Sequence, residues 1–183
     1  HKIMGTVKVT NIEPIADNGT VTLGGSGDTF SLASGAKVSD LDGQVAPAFS
    51  TTLTSNQGSV AGSTWTKVNF DSEILDSDSA FNTTDKEFVV PSGKAGKYLI
   101  FAMVYRSFSA NGTNARVAIS KNDSRVITSI TTDGQGIANT TTVSAVMDLA
   151  VADTIHIEFF HSRSSAETIA TSNSQFYGFR IGD

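Results

Sequence analysis

The sequence contains no cysteine and little proline. Its 183 residues include 0 Cys and 3 Pro, against 16 Gly. Without cysteine, neither disulfide bonds nor thiolate metal sites can stabilise the fold, so a hydrophobic core or an oligomer interface must do so. A chain of this length can build a core, because domains near this size remove roughly 70% of their unfolded surface from water.

Positive charge and long apolar runs are also scarce. The 13 Lys and Arg residues are outnumbered by 18 Asp and Glu, which gives a formal net charge of -5. A nucleic-acid partner is therefore not expected, because such proteins carry a basic patch. The longest apolar run, YLIFAMVY at Tyr98–Tyr105, is far shorter than the ~20 residues of a membrane-spanning helix. Membrane insertion is not expected either.

Helical periodicity is almost absent. Short apolar segments alternate with polar and glycine-containing turns about every 8–12 residues, which predicts an all-β sandwich or barrel. The predicted strands are very short from Thr6 to Leu41 and longer from Ala48 on. Because LDGQVAP lies between these regions and contains the breakers Gly and Pro, we predict a segment at residues 1–46 and a domain at residues 47–183.

The glycine-rich stretch GGSGDT at Gly24–Thr29 has the composition of a phosphate loop or of a turn. A phosphate loop needs a Lys after its last Gly, but Asp28 stands there and would repel phosphate. A dinucleotide site needs a following helix, whereas TFSL alternates with period two. We interpret the stretch as a turn between short strands.

Strands as short as those of residues 1–46 do not bury enough surface to fold as one chain. Three chains wrapped around a common axis could cover each other's apolar pairs. The stretch NGTVTLGGSGDTFSLASGAKV resembles the short β repeats that precede head domains in bacteriophage tail fibres. This resemblance implies a thin, homotrimeric β shaft.

The predicted strand KYLIFAMVYR, Lys97–Arg106, is apolar on both faces. In a sandwich, one face of a strand packs on the opposite sheet and the other normally meets water. A loop of the same chain or a symmetric neighbour must therefore cover the second face, and the absence of disulfides favours the neighbour. The stretch ARVAIS, Ala115–Ser120, alternates and predicts an ordinary half-buried strand.

Aromatic residues follow a recognisable spacing in residues 47–183. Phe70, Asp76, Phe81 and Phe88 precede VVPSGKAGKYLIF, and the chain closes with SQFYGFRI. This pattern resembles the globular head of the complement C1q family, a trimeric jelly-roll domain related to tumour necrosis factor. The resemblance implies a jelly-roll sandwich with Phe88, Tyr98 and Phe179 in its core. It departs from the family in an extended GKAG turn, in Ile100 for Phe, in Ala152 for Gly and in lacking the common cysteine.

Few residues suggest a metal site. His156 and Glu158 share one face of TIHIEFF and His161 lies on the other, but no third ligand is evident, so we interpret them as polar strand residues. No cofactor is predicted. Calcium is the alternative, because oxygen ligands could come from an acidic cluster that otherwise forms solvated loops: Asp71, Glu73, Asp76, Asp78 and Asp85.

Neither catalysis nor glycosylation is predicted. No carboxylate pair is set up for glycan hydrolysis, so we name no catalytic residue and expect no enzyme. The sequence contains five N-glycosylation sequons, which we interpret as chance in a chain rich in Asn, Ser and Thr: Asn18, Asn82, Asn111, Asn122 and Asn139.

Three long polar loops are predicted between strands, at residues 106–116, 131–142 and 161–175. Rigid sandwiches commonly present binding residues on such loops. Their amide, aromatic and guanidinium side chains could bind or clamp a sugar or an acidic glycan. The candidate ligand-binding residues are Arg106, Phe108, Asn111, Asn114, Arg116 and Arg163.

These features favour a binding protein. The leading hypothesis is a homotrimeric bacteriophage tail fibre or receptor-binding protein, located in the virion, whose head adheres to a host cell-surface receptor or glycan. The alternative is a secreted or surface-exposed signalling, adhesion or assembly module of the same fold, also extracellular and non-enzymatic. An enzyme ranks third.

Overall fold

The computed structural model describes residues 47–106, 114–132 and 139–182. Contacts within the chain divide it into two units, His1–Asp40 and Leu41–Asp183, and all described residues belong to the second. The predicted shaft, the GGSGDT turn and the boundary after residue 46 lie outside the described residues.

The described residues form β-strands and contain no helix, which confirms the all-β prediction. No helix capable of spanning a membrane occurs in these three ranges. The thirteen strands are β1 Ala48–Thr52, β2 Gln57–Val60, β3 Thr66–Lys67, β4 Ser72–Asp76, β5 Phe81–Asn82, β6 Glu87–Val89, β7 Gly96–Arg106, β8 Asn114–Lys121, β9 Ser124–Thr132, β10 Asn139–Leu149, β11 Thr154–His161, β12 Glu167–Ile169 and β13 Gln175–Gly182.

The strands build two antiparallel sheets. Sheet A has seven strands, six of which follow the pairing order β2-β12-β7-β13-β1-β4. Strands β12 and β13 both pair along one edge of β7, and the seventh strand, β10, pairs along the opposite edge of β7. Sheet B has six strands in the order β5-β6-β11-β8-β9, with β3 also pairing β11. The long strands are divided between the sheets, since β7 and β10 belong to sheet A whereas β8, β9 and β11 belong to sheet B, and the chain crosses from one sheet to the other after β7, β9 and β10. The result is a jelly-roll sandwich.

Aromatic rings from both sheets fill the core. Phe49 of sheet A stacks on Phe88 of sheet B, with ring centroids 4.5 Å apart, and meets Phe176 edge-on at 4.8 Å. Such ring pairs stabilise a core beyond their buried area. Phe88 and Tyr98 are 1% and 0% exposed, which confirms two of the three predicted core aromatics.

The third prediction, a buried Phe179, is wrong. Phe179 is 40% exposed, whereas Phe176, Gly178 and Arg180 point inward. Gly178 packs so closely that an added Cβ would lie 2.9 Å from Phe49 Cε1. Because side chains alternate along a strand, the inward direction of Gly178 sends Phe179 to the outer face of sheet A.

Strand β8 also differs from its prediction. Ala118 and Ser120 were expected on a solvated face but are fully buried. Strand β8 lies between β9 and β11, and the Ser120 hydroxyl donates a 2.6 Å hydrogen bond to Glu158 on β11. Side chains of neighbouring strands therefore cover this face.

Two tight turns lie side by side at one end of the sandwich. Asn122 and Asp123 connect β8 to β9 with φ of 49° and 60°, the left-handed values of a two-residue hairpin. The Asn122 amide donates to Asp153 at 2.7 Å, and its oxygen accepts from the Thr154 amide at 2.9 Å. These bonds join the β8–β9 turn to the turn before β11.

Candidate functional site

The outer face of sheet A, the side turned away from the core, carries an apolar surface. Along β7 the inward residues are buried, while Leu99, Phe101, Met103 and Tyr105 point outward and are half-buried. This confirms that one face of the strand packs inside the sandwich and leaves the second apolar face at the surface of the single chain.

Neighbouring strands widen this surface. Phe101 lies opposite Tyr177 of β13 and their rings stack with centroids 4.8 Å apart. Leu99 lies opposite Phe179 and Val146, which are 40% and 60% exposed. Contiguous apolar patches of this kind usually mark an interaction site.

A second apolar surface lies on strand β9, which forms the edge of sheet B. Within the described residues β9 pairs only with β8. Val126, Ile127 and Ile130 on this strand are 46%, 41% and 55% exposed. An edge strand with exposed apolar side chains is a site for packing against another chain unless it is protected.

The outer face of sheet B carries a cluster of aromatic rings and arginines. The Trp65 and Phe160 rings lie 5.4 Å apart. The Arg116 guanidinium lies 5.2 Å from the Phe160 centroid, and the Arg125 guanidinium lies 5.0 Å from the Trp65 centroid. We call these four side chains the aromatic-arginine cluster.

Only Arg116 of this cluster was a sequence candidate. Phe160 and Arg116 are cross-strand neighbours on β11 and β8, and Trp65 comes from the distant segment before β3. The single Trp of the chain was the one available signal, and sequence alone does not show which strands pair with its neighbourhood.

Arg106 was predicted to lie in a polar loop, but its side chain lies in the interior of the sandwich. It ends β7 with a fully buried side chain that forms an ion pair with Glu167 at 3.4 Å. His161 lies beside this pair, with its Nδ1 4.0 Å from Glu167 and its Nε2 3.0 Å from the Val60 carbonyl oxygen. The Arg106 guanidinium is thus part of an internal ion pair and does not lie at a surface where a ligand could bind.

Among the described residues, the remaining candidates Asn114, Arg116 and Arg163 lie at one end of the sandwich. The Asn114 oxygen accepts from the Thr132 hydroxyl at 2.9 Å, and the Asn114 carbonyl accepts from the Ser162 amide at 2.9 Å. Arg163, the residue after Ser162 in the sequence, is half-buried. Phe108 and Asn111 lie outside the described residues.

His156 and Glu158 share one face of β11, as predicted, and this face is the outer face of sheet B. It is 4% exposed. Burial, together with the positive charge of Lys67, lowers the pKa of His156 below its ordinary value. The imidazole is therefore neutral at neutral pH. Although it lies on the outer face of the sheet, its side chain is buried.

In the acidic cluster that was considered for calcium, Asp71 and Asp76 accept hydrogen bonds from backbone amides. Asp71 accepts from the Thr54 amide at 2.7 Å, and Asp76 accepts from the Phe81 amide at 2.8 Å. In the part of the chain that the structure describes, no three acidic or His side chains come together as metal ligands. The sequon asparagine Asn82 likewise accepts from the amides of Thr84 and Asp85.

The strand order and the two-sheet core define a jelly-roll domain. A model of the C1q domain family matches residues 48–181, and the chain belongs to that family. This confirms the resemblance of residues 47–183 to the C1q family.

Solved structures share the same fold. The globular domain of zebrafish complement 1qA protein superposes with a TM-score of 0.55 and 18% identity, covering 74% of this chain and 97% of that one. Murine APRIL gives 0.56 and 13%, with 74% and 99% covered. Eiger TNF from S. frugiperda gives 0.52 and 12%, with 75% and 92% covered. Comparison with curated proteins finds no match.

Proposed function

We propose that this protein is a homotrimeric, extracellular and non-enzymatic binding module. The observation that carries the proposal is the outer face of sheet A, where Leu99, Phe101, Tyr177 and Phe179 form an apolar surface that a single chain leaves uncovered. Domains of the C1q and tumour necrosis factor type generally form homotrimers and bind receptors outside the cell.

Two separate apolar surfaces support a ring of subunits. The outer face of sheet A and the β9 edge lie on different sheets, so they suit a contact in which the edge of one subunit packs on the face of the next. Such a head-to-tail contact uses two different patches and closes into a ring when the rotation allows. Light scattering on the native protein should report three times 19.2 kDa; a monomer at micromolar concentration would contradict the proposal.

The biological setting that we propose is a bacteriophage tail fibre. Support comes from the tail-fibre-like texture of the sequence of residues 1–46, and from the polar ends of β8 and β11, where Asn114, Arg116 and Arg163 offer polar side chains to a glycan. A fluorescent fusion should bind whole cells of a bacterial host and be displaced by its purified surface polysaccharide. Binding to animal cells alone would favour the signalling or adhesion module instead.

A further inference from the structure

We propose that Arg116, in the aromatic-arginine cluster, binds the carboxylate of an acidic sugar. The inference rests on the proposed function, because it names the ligand chemistry of a head that binds a surface glycan.

Arg116 differs from the other cations on this face. In the described part of the outer face of sheet B, Lys67 bonds to Glu87 at 3.0 Å, and Arg125 bonds to both oxygens of Glu158 at 3.0 and 3.1 Å. Arg116 donates to no acceptor there, and its Nε is buried without a hydrogen-bond partner. Because the buried Nε is out of reach of a ligand, the N–H donors of the two terminal nitrogens of the guanidinium are the ones that bind an anion.

The orientation of Arg116 is set by its aromatic neighbours. The guanidinium lies over Phe160, which packs against Trp65, which in turn lies under Arg125. A guanidinium held over an aromatic ring by its cationic centre keeps its terminal N–H groups for a carboxylate, which accepts two parallel bonds from them. Holding the group in place beforehand reduces the ordering cost of binding.

The nearest acid on the same face of β11 does not neutralise Arg116. Glu158 lies two residues from Phe160, but its oxygens accept from Arg125 and from the Ser120 hydroxyl at 2.6 Å. The local balance of Arg116, Arg125 and Glu158 is therefore one positive charge. A single unpaired guanidinium suits a monoanionic carboxylate better than a phosphate cluster, which would require several cations.

The surroundings of Arg116 suit a sugar ring. Trp65 of the aromatic-arginine cluster is half-buried, so part of its ring is open to a ligand. Thr128 lies on the same face in the next row. Apolar groups can contact the C–H face of a pyranose and a hydroxyl can bond its substituents, while the guanidinium holds the carboxylate.

The probe is a trigalacturonate oligosaccharide, with its methyl ester as the uncharged counterpart, titrated by calorimetry into the full chain. We expect binding of the acid and not of the ester. Arg116→Gln should weaken binding roughly tenfold or more, since bonds to charged groups contribute about 1.5–3 kcal/mol. Arg116→Lys should recover part of it, and Lys86→Gln, which removes one charge from an exposed turn, should change nothing.

Three results would overturn the inference: equal binding of acid and ester, full binding by Arg116→Gln, or Arg116-dependent binding of a polyglutamate peptide without binding of the sugar. Light scattering on the same samples separates the two proposals. An intact trimer that ignores trigalacturonate refutes the sugar site alone, whereas a monomeric parent protein contradicts the proposed function.

Discussion

The Phe101 and Tyr177 rings stack on the outside of the sandwich, with centroids 4.8 Å and planes 25° apart. They belong to adjacent strands β7 and β13 and face away from the core. Stacked aromatic rings at a surface stabilise association most when a partner removes them from water. This pair therefore lies at the centre of the surface that we propose for trimer formation.

The head-to-tail arrangement can be tested with two variants, each of which damages a different one of the two surfaces. Phe179→Glu damages the outer face of sheet A, and Val126→Glu damages the β9 edge, so each variant alone should fail to form trimers because a buried unpaired charge is costly. A mixture of the two retains one intact face and one intact edge. Light scattering should therefore show recovery of paired chains in the mixture.

The control for this experiment is Val151→Glu. Val151 is 47% exposed but lies in the turn between β10 and β11, away from both surfaces, so this variant should remain trimeric. Failure of the mixture to associate would argue against a head-to-tail contact.

The aromatic core gives a stability prediction. Phe88 is 1% exposed and contacts the Phe49 and Tyr98 rings, so Phe88→Ala should lower the free energy of unfolding by about 3–5 kcal/mol. Denaturant unfolding of the full chain at fixed concentration measures the change. If the variant unfolds at the same denaturant concentration as the parent, the core assignment of Phe88 is wrong.

Ala152 gives a prediction of the opposite sign. Its φ is 67°, a left-handed conformation that disfavours a residue with a Cβ by roughly 1–2 kcal/mol. Ala152→Gly should therefore stabilise the protein by about 1 kcal/mol, as thermal unfolding would show. Ala150→Gly, two residues earlier and without positive φ, should give no gain; equal stabilisation by both changes would refute strain at Ala152.

Stability should depend on pH through His156. Burial holds its pKa below the ordinary value, so the unfolded chain, with a His pKa of about 6.5, takes up the proton first. The contribution is complete above that pH and is lost as the pH falls towards the lower folded value. Urea unfolding between pH 8 and pH 5 should show this decline, and His156→Gln should reduce it.

A second group loses its contribution only at lower pH. Burial alone would raise the pKa of Asp153, but hydrogen bonds from Lys121, Asn122 and the Ala150 amide outweigh it and lower the pKa. Its stabilisation is present above the unfolded Asp pKa of about 3.9 and is lost below it.

For His156, by contrast, the decisive range is pH 8 to pH 5. A free energy of unfolding that does not change over this range would contradict the buried neutral state of His156.

The sequence was sufficient to predict the elements whose signal is local. Period-two alternation and the absence of helical spacing predict all-β structure, and the run around Tyr98 predicts a strand with two apolar faces. The spacing of Phe70, Phe81 and Phe88 led to the C1q family and to two of three core aromatics. These patterns depend on neighbouring residues along the chain, so they can be read without knowing which strands pair.

Only the tertiary structure decided which way ambiguous residues point. When both faces of a strand are apolar, alternation shows that two faces exist but not which one meets the core, so the direction of Phe179 depended on the close packing of Gly178 against Phe49. Arg106 turned inward because β12 brings Glu167 to it. Trp65, Arg116 and Phe160 meet because β3 and β8 both pair with β11, a long-range pairing that no local pattern in the sequence encodes.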